Sequence, residues 1–123
     1  MCIIFFEKRK IKKQINALID KTDKIFDNIF LEINEKYPEI RKNVLYDTIR
    51  IERYHFETFK LKLPLELEYG FIDDILDETI EITNSIETKI INFHDSFETV
   101  IKNIKENKNK WFKNNEEIPF FFH

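Results

Sequence analysis

One stretch, Phe71 to Trp111, restricts the possible folds more than any other part of the chain. Numbered in sevens, one seam reads Ile72, Thr79, Ile86, Phe93, Val100 and Asn107; the other reads Leu76, Thr83, Ile90, Phe97, Ile104 and Trp111. The steps alternate between four and three, and nine of the twelve positions are apolar, the pattern of a helix whose one stripe is buried along its length. Asp73, Asp74, Asp77 and Glu78 open the stretch, and Lys102, Lys105, Lys108 and Lys110 close it. Both groups complement a helix dipole running in that direction. The spacing predicts a long C-terminal helix over about 71–108, roughly 57 Å at 1.5 Å per residue. Thr79, Thr83 and Asn107 in the seam argue for a bundle over a bare coiled coil, because polar seam residues cost stability.

Few helix breakers interrupt the chain. There is one Gly and there are three Pro in 123 residues, which favours long elements over a many-turned sandwich. A chain of this length holds one domain, read here as 1–123, with a core of its own. Glu7–Lys36 reads as a first helix. Its seam is Ile11, Ile15, Leu18, Thr22, Ile25 and Ile29, widened by Ile19, Phe26, Phe30 and Ile33. Tyr37-Pro38 ends it, since the residue before proline is pushed out of the α region. Pro38 can then occupy the first turn of a second helix. Ile40, Val44, Leu45, Thr48, Ile49, Phe56 and Phe59 continue that helix at 3.6-residue spacing.

The pattern changes at Phe59–Tyr69. Phe59, Leu61, Leu63, Leu65, Leu67 and Tyr69 alternate with Lys60, Lys62, Pro64, Glu66 and Glu68, a period of two. The expectation is an extended strap across the helices, or an edge strand paired with part of 48–56. Pro64 excludes a central strand because it lacks a donor. Gly70 marks the return to helical period and is the natural corner. The fold class is therefore mainly α: an antiparallel bundle of about three helices, one of them long, plus an extended segment at 59–69.

Catalytic signatures are missing. One glycine rules out a phosphate loop or a dinucleotide fingerprint, and Ser85 and Ser96 lie in no nucleophile elbow. Cys2, the only cysteine, allows no internal disulfide and no cysteine metal site. His94, Asp95 and Glu98 lie within one helical turn but make too small a ligand set for a metal, and no cofactor is implied. No signal peptide and no run of about 20 apolar residues is present, so a cytoplasmic protein is expected.

Arg50-Ile51-Glu52-Arg53-Tyr54-His55 places His five residues after Arg. This resembles the Arg-x4–6-His motif of the HEPN superfamily, small all-helical proteins that include metal-independent ribonucleases. The resemblance implies a dimer that pairs two motifs, with Arg50 gripping the scissile phosphate and His55 in acid–base chemistry. Where many members carry a tyrosine two residues after the His, this chain carries Glu57.

Charge is the more distinctive signal. The net charge is −3, yet residues 7–13 alone carry +4. From Glu57 to Glu87 nine acidic residues face two basic ones, a local −7. So acidic a chain is a poor non-specific nucleic-acid binder. The leading expectation is a non-enzymatic interaction module of the immunity, antitoxin or viral-inhibitor type. It would bind and mask a protein with a basic surface through Glu66, Glu68, Asp73, Asp74, Asp77, Glu78 and Glu81. The late seam, Phe93, Phe97, Val100, Ile104 and Trp111, would serve self-association as a homodimer. A weaker alternative is a peripheral membrane anchor in residues 1–13, where Cys2 and an apolar hexapeptide precede five cations. The aromatic tail Ile118–His123 would fold back on the core or enter a partner.

Overall fold

A computed structural model describes the backbone of residues 2–117 and the side chains of residues 7–108. Three α-helices account for nearly all of it: α1 (Cys2–Lys36), α2 (Val44–Tyr69) and α3 (Ile72–Glu117). A short 3-10 turn, Pro38–Lys42, joins α1 to α2. Cross-helix pairs give the directions. Asp23 meets Lys60 and Asp27 meets Arg53, so α1 and α2 are antiparallel. Lys21 meets Glu87 and Glu32 meets His94, so α1 and α3 run parallel. The bundle is thus up-down-up, with α2 as the return stroke.

α1 and α3 are the most intimate pair. Ile15, Ile19, Phe26, Ile29 and Ile33 of α1 are buried with Ile75, Ile86, Ile90 and Phe97 of α3 in one core. The polar seam residues fit this core because each hydroxyl is satisfied within its own helix. Thr79 Oγ1 donates to the Ile75 carbonyl at 2.7 Å, Thr83 Oγ1 to the Thr79 carbonyl at 2.8 Å, and Thr22 Oγ1 to the Leu18 carbonyl at 2.9 Å. Once satisfied, a threonine behaves as a small side chain and lets the helices approach.

Helix boundaries shift from the sequence expectations. α1 begins at Cys2, so the apolar leader is already helical in its backbone. Pro38 opens the 3-10 turn, and α2 proper starts at Val44, capped by Asn43 Oδ1, which accepts from the Leu45 N–H at 2.9 Å. α3 runs on to Glu117, about nine residues past the expected end. The tail Ile118–His123 lies outside the described residues.

The strap or edge strand at 59–69 is overturned. That segment is helical, and no strand occurs among the described residues. Phe59, Leu63 and Leu67 sit at i, i+4 and i+8 and turn to the core, while Leu61, Leu65 and Tyr69 turn outward. Apolar residues on two opposite faces of one helix imitate a period of two. Leu, Lys and Glu are all good helix formers, so propensity and packing agree. Pro64 is carried inside the helix, where it removes one donor to the Lys60 carbonyl.

Gly70 does mark the corner, but for a different reason than backbone freedom. Its φ of −93° and ψ of 179° are ordinary extended values. Its N–H donates to the Glu66 carbonyl at 2.7 Å, and an added Cβ would lie 2.7 Å from that same oxygen and 3.1 Å from Ile75 Cδ1. The corner is too tight for any side chain.

α1 and α2 are joined by ring contacts, Phe26 with Phe56 and Phe30 with Tyr46 at 5.8 Å between centroids, and by cations laid over those rings. The Arg53 guanidinium sits 5.8 Å from the Phe26 centroid and 5.5 Å from that of Phe30. The Lys60 ammonium lies 5.3 Å from the Phe56 centroid and donates to Asp23 Oδ1 at 2.8 Å and Glu57 Oε1 at 3.1 Å. Desolvation lowers the Lys60 pKa, but these two carboxylates outweigh it and hold the ammonium above its ordinary 10.5. A raised folded-state pKa stabilises fully below 10.5 and loses its effect as pH climbs through the raised value.

Three outcomes are expected from this packing. Gly70→Ala should lower unfolding free energy by about 1–3 kcal/mol in urea titrations, the usual penalty for overpacking. Leu63→Ala should cost about 2–5 kcal/mol while Leu61→Ala costs far less, whereas a strand burying every odd residue would make both costly. In alkaline titrations followed by circular dichroism, Lys60→Met should remove the part of the stability loss that sets in above pH 10.5 in the natural chain.

Candidate interaction cleft

α2 and α3 close on each other less tightly than α1 and α3 do, and a cleft of about 620 Å³ lies between them. Its floor is apolar, formed by Phe56, Phe59, Ile82 and Ile86. Its walls carry Glu52, His55, Lys62 and Glu66 from α2 and Glu78, Glu81 and Lys89 from α3. Antiparallel helices explain the gathering: residues late in α2 lie opposite residues early in α3. Lys89 Nζ donates to Glu52 Oε1 at 3.1 Å and ties the two walls together. That leaves Glu66, Glu78 and Glu81 facing Lys62, with no ion pair for any of the four among the described residues.

Glu66 is the unusual member. The side chain is half-buried, and its Oε2 is shut from solvent without a hydrogen-bond partner among the described residues. A buried acceptor left unpaired costs about 1–3 kcal/mol, so folding alone does not favour it. The residue is also pinned at its backbone, because its carbonyl accepts from Gly70 N–H at the corner.

The seven acidic residues expected to form one face do not all converge. Glu66, Glu78 and Glu81 meet in the cleft. Asp73 and Asp74 are exposed in the first turn of α3, where the helix dipole accounts for them, and Asp77 and Glu68 are exposed outside the cleft. Glu52, His55 and Lys89 are cleft residues that the charge reading missed. Glu52 lies before the acidic stretch, and only the antiparallel pairing of α2 with α3 brings it in.

The other candidate residues separate in space. Arg50 and His55 are both exposed on α2 but line different depressions. Arg50 lies over the Tyr46 ring, its guanidinium carbon 5.9 Å from the centroid, and His55 stands edge-on to Tyr54 at 6.1 Å. Of the late seam, Phe97 is fully buried in the chain's own core against Tyr37, at 5.3 Å between centroids. Phe93, Val100 and Ile104 are half-buried, and the Trp111 side chain lies outside the described residues. His94 is used structurally: its Nε2 donates to Glu32 Oε1 at 2.9 Å, linking α3 to α1. Among the described residues no group of three or more His, Cys, Asp or Glu could hold a metal ion. No described helix is long and apolar enough to cross a membrane.

Comparison with protein-family models, with curated proteins and with solved structures returned no match to this chain. The cleft is therefore read from its own chemistry. An apolar floor with acidic walls, one wall oxygen buried and unpaired, suits a ligand that brings cationic donors on an apolar stem. Replacing Glu66 with Met should remove the unpaired acceptor and raise unfolding free energy by about 1 kcal/mol in urea titrations.

Proposed function

We propose that the protein is a non-enzymatic interaction module that takes a basic segment of another protein into the α2–α3 cleft and masks it. The role would be of the immunity-protein, antitoxin or viral-inhibitor type. The observation that carries the reading is the buried, unpaired Oε2 of Glu66, in a cleft that Glu78 and Glu81 also line above an apolar floor. Lysine and arginine suit such a site. Their methylene stems can lie on Phe59 and Ile82 while their charged ends reach the carboxylates. Acidic walls would also speed encounter with a basic partner and orient it, in a salt-dependent way.

The test compares the natural chain with a Glu66→Gln, Glu78→Gln, Glu81→Gln triple variant. The probe is an arginine- and lysine-rich peptide, followed by fluorescence anisotropy at several salt concentrations. The natural chain should bind at least about tenfold more tightly, which is about 1.4 kcal/mol, and with the steeper salt dependence. An Asp73→Asn, Asp74→Asn variant, altered outside the cleft, should bind like the natural chain. Equal affinity of the triple variant and the natural chain would sink the proposal. Equal loss in both variants would replace a cleft with a diffuse acidic surface.

A further inference from the structure

α2 carries a second apolar stripe that none of the described residues covers. Val44, Ile51, Tyr54, Leu61, Leu65 and Tyr69 are 55–80% exposed. With Asp47 and Thr58 they step by three and four along the helix, the spacing of a helix–helix seam. This face lies opposite the one that buries Ile49, Phe56 and Leu63. A helix apolar on both faces is normally covered on both. Elsewhere the exposed apolar residues, such as Leu31 and Ile91, are scattered.

We propose that the outer face of α2 pairs with the same face of a second copy of this chain, antiparallel, about a two-fold axis near Thr58. The stripe is complementary to its own reverse. Turned about Thr58, Ile51 of one copy meets Leu65 of the other. Asp47, the one charge in the seam, meets Tyr69, whose hydroxyl can donate to it. Lys62 comes over Tyr54, a cation–π arrangement. On one flank Arg50 comes beside Glu68 of the other copy, twice by symmetry. Neither Arg50 nor Glu68 has an ion-pair partner among the described residues. The area is also sufficient. Tyr54 and Tyr69 contribute about 150–250 Å² apiece when covered, and four aliphatic side chains add to them. Together with the flanking charges they approach the roughly 800 Å² per partner of a stable interface. Tyr54, Thr58 and Lys62 also line the α2–α3 cleft, so the second copy would border it on one side. The pairing stands independently of what the cleft binds.

Sedimentation equilibrium on the full chain at high-micromolar concentration should return twice the chain mass. A Leu61→Glu, Leu65→Glu double variant should return the single-chain mass with unchanged helicity, because both side chains are exposed in the folded chain. In a Cys2→Ser background, Thr58→Cys should form an intermolecular disulfide under oxidation. Val44→Cys should not, since its two copies would lie about 40 Å apart across the two-fold axis. A monomer, a dimer that survives the double substitution, or trapping at Val44 in place of Thr58 overturns the proposal.

Discussion

The parallel contact between α1 and α3 is the constraint on which the rest of the fold depends. Parallel neighbours cannot be joined by a tight turn, so the chain must come back along them before α3 can start. α2 is that return stroke. At 26 residues it spans roughly 39 Å, shorter than either helix it connects. The core is consequently deepest where all three helices overlap, around Phe26, Phe56, Ile86 and Ile90. The N-terminal part of α1 and the C-terminal part of α3 extend beyond the return helix at opposite ends.

Each seam is closed by a different kind of chemistry. α1 and α3 meet through isoleucines and self-satisfied threonines, which are small enough for close approach. α1 and α2 meet through phenylalanines roofed by Arg53 and Lys60, with Asp23 and Asp27 fixing the cations. The Arg53–Asp27 pair is largely exposed and contributes little as a charge pair; the guanidinium acts mainly by lying over the two rings. α2 and α3 meet less closely than α1 and α3, and the Glu52–Lys89 pair bridges a gap instead of sealing it. That looser seam holds the cleft, which runs from Glu52 to Glu66 along α2 and from Glu78 to Lys89 along α3.

Much of this was legible in the residues. The middle of the long helix's two seams and the wide stripe of α1 lie where their periods put them: Thr79, Thr83, Ile86, Ile90 and Phe97 are buried, as are Ile15, Ile19, Thr22, Phe26, Ile29 and Ile33. The segment 59–69 was misread because period alone cannot tell one strand with a single buried face from a helix with two apolar faces. Leu61 and Leu65 looked like partners of Leu63 and instead lie outside it. Charge was legible as an excess over 57–87, but not as a site. Glu66, Glu78 and Glu81 come together, whereas Glu68 and Asp77, just as near in sequence, do not.

By itself the sequence determined the helical period of α1 and of the long helix, where the chain turns at Pro38 and Gly70, and that a surplus of acid surrounds the second turn. Those are local properties, set by side-chain spacing, ring constraint and the missing Cβ. Tertiary structure alone decided which residues of α2 lie opposite which residues of its neighbours, which carboxylates share a cleft, and which oxygen among them is buried without a partner. The reason is that each depends on contacts between residues far apart in the chain. Glu52 with Lys89 and Asp23 with Lys60 are each separated by 37 positions, and no local pattern encodes which of them will meet.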